Sequence, residues 1–118
     1  MKQSGDWGEA LVAEYLRTHG YRLLAAQYHC RFGEIDLIAQ KKNVLCFVEV
    51  KLRTNLAHGL PREFVHTAKQ NRLRAAASMY IAEHNIEQTT RFDVAEVYTD
   101  ETHSEENTKI NYIENAFF

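Results

Sequence analysis

The sequence predicts an α/β fold: one mixed β-sheet flanked by helices, in the order α-β-β-β-α-β-β. Three observations predict it. An apolar stripe of helical spacing opens the chain, three strand-like runs follow in succession, and a second helical stripe precedes two more alternating runs.

Each element has its own signal. Trp7, Leu11 and Tyr15 recur every four residues beside Ala10 and Leu16. A first helix is therefore expected from a cap at Ser4 to about His19, with Gly20 as its stop. Tyr21 to Tyr28 (YRLLAAQY) reads as a strand, and Arg31-Phe32-Gly33 as a turn. Glu34 to Ala39 (EIDLIA) alternates as a second strand. Lys41, Lys42 and Asn43 make a tight connection into a third, largely buried strand, Val44 to Lys51 (VLCFVEVK). Thr54 to Pro61 is a loop that holds the sole proline. A second helix is expected from about Arg62 to His84, because Leu73, Ala76, Ala77, Tyr80 and Ile81 share one helical face. Arg91 to Tyr98 reads as a fourth strand and Lys109 to Ala116 as an edge strand. Thr99 to Thr108 between them reads as a mobile acidic loop.

The bulk properties narrow the class. The 118 residues, 45% of them hydrophobic, suit a single domain spanning 1–118, with no internal repeat. No apolar run approaches the roughly 18 residues of a membrane span. Acids interrupt the N-terminal apolar pattern, so a signal peptide is not expected and the cytoplasm is the expected compartment. Cys30 and Cys46 form no CxxC pair, and Cys46 reads as a buried, reduced thiol. The net charge of −2 conceals a gradient. Lys51, Arg53, Arg62, Lys69, Arg72 and Arg74 face only Glu63 in their segment. Glu96, Asp100, Glu101, Glu105 and Glu106 form a late stretch without Lys or Arg. The middle segment is the candidate polyanion-facing surface.

The residues that carry chemistry are Asp36, Glu49 and Lys51. Glu49 and Lys51 are two apart on a strand and point the same way. If Ala39 faces Val44 across the hairpin, Asp36 faces Phe47 and is the diagonal neighbour of Glu49. That separation is roughly 7–8 Å at Cα, close enough for two carboxylates to converge on one ion. A slip of one residue would separate them onto opposite faces. Asp36, Glu49 and the backbone carbonyl near Val50 are the expected ligands of Mg²⁺ or Mn²⁺, with waters completing the octahedron. Such a site suits phosphodiester hydrolysis, where negative charge builds at phosphorus and a nearby lysine can orient water. An ExK triplet at a strand end also occurs by chance. Here, however, the acid ends an apolar strand, where an uncompensated charge is costly, and a basic helix follows.

These motifs have a known likeness. GEIDLIA (Gly33–Ala39) followed by FVEVKLR (Phe47–Arg53) resembles the D…ExK pattern of the PD-(D/E)xK, restriction-endonuclease-like superfamily. With GDWGEALVAEYL near the start, KQNRL from Lys69 and RFDVAEV from Arg91, nearly the whole chain resembles the YraN family of predicted endonucleases. That family is similar in pattern to archaeal Holliday-junction resolvases. The resemblance implies a restriction-endonuclease-like sheet. It implies metal-binding roles for Asp36 and Glu49, the motif-lysine role for Lys51, and a helix acid, Glu9, that reaches the metal through water. A solvated Glu9 is the competing reading. Glu34 is expected as a further ligand or, preferably, an ion-pair partner of Arg53. Arg53, Lys69, Arg72 and Arg74 are the expected nucleic-acid contacts. Ile35 stands where the classical motif has proline.

Other residues read more plainly. The six histidines are scattered, with His58 and His66 most simply solvated. Trp7 and Tyr15 could stack on bases but suit core packing better. Asp93 is expected to neutralise Arg91 or Arg53. The function expected is a metal-dependent nuclease acting on branched, flapped or single-stranded DNA, with a homodimer presenting two sites as the assembly to expect. The alternative is a nuclease-fold protein that binds nucleic acid or a partner with little turnover.

Overall fold

A computed structural model describes residues 3–53 and 66–117, with side chains from Asp6 onward. Its elements are α1 (Gln3–Thr18), β1 (Arg22–Cys30), β2 (Gly33–Lys41), β3 (Val44–Arg53), α2 (Thr67–Glu83), β4 (Thr89–Tyr98) and β5 (Lys109–Phe117). The order α-β-β-β-α-β-β and the α/β class are those the sequence predicts. The strands lie in chain order, β1-β2-β3-β4-β5. Neighbours are antiparallel except β3 and β4, which run parallel. A parallel pair cannot be joined by a hairpin, and α2 lies in the crossover that joins them.

Each face of the sheet has its own core. Val12, Ala13 and Leu16 of α1 meet Leu37, Ala39, Cys46, Val48, Ala95 and Val97. Leu73, Ala76, Ala77 and Tyr80 of α2 meet Ile38, Leu45, Phe47 and Val94. The unbroken apolar run of β3 follows from this, since both its faces are covered. Trp7 and Tyr15 pack at the margin of the α1 core: Trp7 stacks on His103 and Tyr15 on Tyr112. Cys46 is buried, and burial pushes its thiol up to about 12, the state of an inert core cysteine.

Several boundaries differ from expectation. Ser4 lies inside α1 rather than capping it, since the helix already includes Gln3. The β2–β3 register is shifted by two residues, because Lys41 pairs directly with Val44 and only two residues form the turn. Lys42 takes the left-handed φ of 54° that this reversal requires. A shift of two preserves every side-chain face. The 99–108 segment, expected as a mobile acidic loop, contains a hydrogen-bonded turn. Thr99 is fully buried and its N–H donates to Arg53. The Asp100 carboxylate accepts from the Thr102 N–H and the Asn107 amide, and a 3-10 turn spans Glu105–Asn107. The second helix begins at Thr67 rather than about Arg62, because His66 is extended backbone at its N-cap. The Thr54–Pro61 loop, with His58, lies outside the described residues.

Asp93 anchors β4 to its surroundings. It is fully buried and accepts two hydrogen bonds from Arg91, at 2.8 and 2.9 Å. It also accepts from the Tyr112 hydroxyl at 2.6 Å and the Asn115 N–H at 2.9 Å. Arg91 is thus its basic partner, as the sequence suggests. Among the described residues, no helix is long and apolar enough to cross a membrane.

Candidate active site

β2 and β3 pair as far as Leu37 and Val48, and there the ladder ends. One step beyond, Asp36 stands directly opposite Glu49 rather than diagonal to it, the consequence of the two-residue register shift. The Val50 N–H is taken by a side chain: it donates to Asp36 Oδ2 at 2.8 Å. This bond fixes one face of the Asp36 carboxylate beside the glutamate.

Glu49 is only 5% exposed, and its Oε2 meets the Lys69 ammonium of α2. Burial and the neighbouring Glu49 charge push the Asp36 carboxyl up to about 6, against the opposing pull of the Val50 N–H and Lys69. Two adjoining clefts open on the pair. One is lined by Glu9, Glu34, Asp36, Glu49, Val50 and Leu52 with Lys69. The other turns toward α2, where Lys69, Arg72 and Leu73 join Glu34, Asp36 and Glu49.

The expected site residues separate into two groups. Asp36, Glu49, Val50, Glu9 and Lys69 come together, with Arg72 beside them. Glu9 is 9% exposed, so the solvated reading of this helix acid does not hold. Lys51 is half-buried, two residues past Glu49 on β3 and opposite Glu96 of β4. The lysine in contact with Glu49 is therefore Lys69. Arg53, expected to pair with Glu34, meets Glu96 at 3.8 Å; Glu96 is buried at 1% exposure and needs a counter-charge. Glu34 lines the clefts and pairs with His29 at 3.1 Å. Arg74 points away from the clefts: it bonds Asn71 and Gln70 and lies over the Phe117 ring. Lys69 and Arg72, three residues apart, share a helix face that Arg74 does not.

One participant escaped sequence reasoning. Gln27 of β1 donates from Nε2 to Glu9 Oε1 at 3.1 Å and to Asp6 Oδ1 at 3.2 Å. The available signal was a lone amide side chain inside the strand run YRLLAAQY.

The donor set suits a hard divalent cation. It consists of carboxylate oxygens pressed together in a half-buried place, with a main-chain carbonyl adjacent at Val50. Among the described residues, no three His, Cys, Asp or Glu side chains converge as a closed metal cage. An ion here would take Asp36 and Glu49 directly and fill other positions with backbone and water, as Mg²⁺-type ions do.

The model of the uncharacterised protein family UPF0102 matches residues 8–97, the span that holds Glu9, Asp36, Glu49 and Lys51. The chain belongs to the UPF0102 family. A UPF0102 protein of Alkaliphilus metalliredigens is 44% identical over 117 residues, covering 98% of each chain. One from Caldanaerobacter subterraneus subsp. tengcongensis is 45% identical over 119 residues, 98% of this chain and 95% of the relative. One from Caldicellulosiruptor bescii is 42% identical over 119 residues, 99% and 98%. This is the family, also called YraN, that the motifs resemble.

Proposed function

We propose that this UPF0102 protein is a metal-dependent nuclease that hydrolyses phosphodiester bonds of DNA, reading strand structure rather than sequence. The observation that carries the reading is the opposition of Asp36 and Glu49 at the split end of the β2–β3 ladder. Two such acids repel each other and any phosphate, and a divalent cation removes both penalties.

The residues divide the work. Asp36 and Glu49 would hold Mg²⁺ or Mn²⁺, with the Val50 carbonyl. When bound, that ion supplies charge neutralisation at the scissile phosphate and acidifies water. The Val50 N–H holds Asp36 in its aim. Lys69 and Arg72 face the α2 side of the cleft, where they suit phosphate oxygens. Lys51, on the strand that carries Glu49, suits proton transfer or orientation of the attacking water. Glu9 closes the cleft from α1.

The substrate reading rests on what surrounds the cleft. Two cations on one helix turn recognise backbone charge, and neither they nor the acids offer a pattern for base edges. Branched, flapped or single-stranded DNA fits a small open cleft better than an enclosed duplex. The decisive test is a cleavage panel of junction, flap, single-strand and duplex DNA, with RNA alongside, in Mn²⁺ and beside Glu49→Ala. Cutting that Glu49→Ala abolishes supports a nuclease. Tight binding without cutting identifies a nucleic-acid-binding protein that retains the nuclease-like cleft. Equal cutting by both proteins refutes the assignment.

A further inference from the structure

Gln27 belongs to strand β1, yet its φ is +54°, in the left-handed region that residues other than glycine enter at a cost. The chain does not turn there. Pairing with β2 runs from Ala26↔Leu37 to Tyr28↔Ile35 with no change of register across Gln27. The unusual backbone therefore serves neither a reversal nor a bulge. Its effect is to re-aim one side chain.

That side chain spans to α1. Its amide nitrogen has two hydrogens, and both acceptors are carboxylates: Glu9 Oε1 at 3.1 Å and Asp6 Oδ1 at 3.2 Å. By the strand register Gln27 also lies beside Asp36, which stands opposite Glu49, so the three form a row across β1, β2 and β3. Glu9 lines the same cleft as Asp36 and Glu49. Backbone strain of this kind persists where the surroundings over-determine it, and it collects at functional sites.

We propose that Gln27 is a positioning residue, whose amide holds the Glu9 carboxylate at the Asp36–Glu49 cleft. The inference rests on the reading of that cleft as a divalent-cation site. The chemistry of the amide suits the task. A lysine or arginine at the same place would add a positive charge beside Glu9, whereas the amide restrains the carboxylate and adds none. The left-handed φ accompanies a β1 residue that reaches a helix acid while the register on either side of it is kept.

The test is Mn²⁺ calorimetry and thermal melting on wild type, Glu9→Gln, Gln27→Gly, Gln27→Asn and the Glu9→Gln, Gln27→Gly double variant. Glycine accepts φ +54° freely, so Gln27→Gly should melt no lower than wild type. Its Mn²⁺ affinity should nonetheless fall about 10-fold or more, the usual effect of losing a group that orients a metal-site acid. Asparagine tolerates the same backbone but is one methylene shorter, and should behave like glycine. Glu9→Gln should weaken Mn²⁺ to a similar extent, and the double variant should be no weaker than either single one. Wild-type Mn²⁺ affinity in Gln27→Gly overturns the proposal, as does unchanged affinity in Glu9→Gln or a double variant whose losses multiply. These results leave the cation site standing. Failure of wild type itself to bind Mn²⁺ overturns both the cation site and the role of Gln27.

Discussion

Lys69 on α2 and Glu49 on β3 form an ion pair across the mouth of the cleft. A helix cation thus holds the position beside the acids that a divalent ion would contest. Removing it as Lys69→Met should tighten Mn²⁺ binding by about 5-fold, the worth of a partly exposed ion pair. The same variant should bind DNA more weakly. Calorimetry for the metal and gel shifts for the DNA check the two halves, and a Lys69→Met protein with weaker Mn²⁺ binding contradicts the first.

Asp36 is held above its ordinary carboxylate range, at about 6, by burial and by Glu49. A raised acid contributes stability in its protonated form. That contribution is complete below 3.8 and is lost as pH rises through about 6. In metal-free buffer the wild type should therefore lose stability between about pH 4 and 7, by at most about 3 kcal/mol from this group. Asp36→Asn keeps an acceptor for the Val50 N–H and removes the charge. It should flatten the pH dependence, raise the melting temperature at pH 7, and abolish stabilisation by added Mn²⁺. Melting curves over that pH range, with and without Mn²⁺, are the measurement.

Lys51 lies two residues past Glu49 on β3, opposite Glu96, and its proposed role is to orient or deprotonate the attacking water. Lys51→Ala should reduce turnover about 100-fold or more while changing DNA affinity by less than about 3-fold. Single-turnover cleavage at saturating enzyme separates the two effects. Normal cleavage once saturated would place Lys51 in binding.

Arg72 and Arg74 should behave differently. Arg72 borders the cleft, so Arg72→Ala should weaken binding to all DNA forms and reduce the salt slope by about 1. Arg74 lies over Phe117 and bonds Gln70 and Asn71. Arg74→Ala should leave the salt slope unchanged and lower stability by about 0.5–1 kcal/mol. Gel-shift titrations at several salt concentrations, with urea melts, distinguish them.

Asp93→Ala should be far more damaging than its distance from the cleft suggests. It strands the Arg91 guanidinium, the Tyr112 hydroxyl and the Asn115 N–H around a buried site. The expected loss is about 3–5 kcal/mol, seen as a shift in the urea midpoint.

What the sequence determined by itself is local in origin. Helical and strand periodicity, and the unbroken apolar run of a strand buried on both sides, led to the element order. The spacing of Glu49 and Lys51, with Asp36 one strand earlier, marked the acids of the cleft, because strand geometry relates neighbours two residues apart without reference to the rest of the molecule. The turn length escaped that reasoning: a left-handed Lys42 shortens the hairpin and brings Asp36 from diagonal to opposite Glu49. The partners of long side chains were likewise decided by the tertiary structure. Buried Glu96 claims Arg53, Phe117 and the α2 amides draw Arg74 aside, and the packing of α1 buries Glu9. Gln27 is the clearest case. No periodicity marks a residue whose φ reverses sign inside a strand, and its meaning appears only once α1 has docked and placed Asp6 and Glu9 within reach of its amide. A charge on a flexible stem goes to whichever buried counter-charge the fold brings near, and that choice is made between elements, not along the chain.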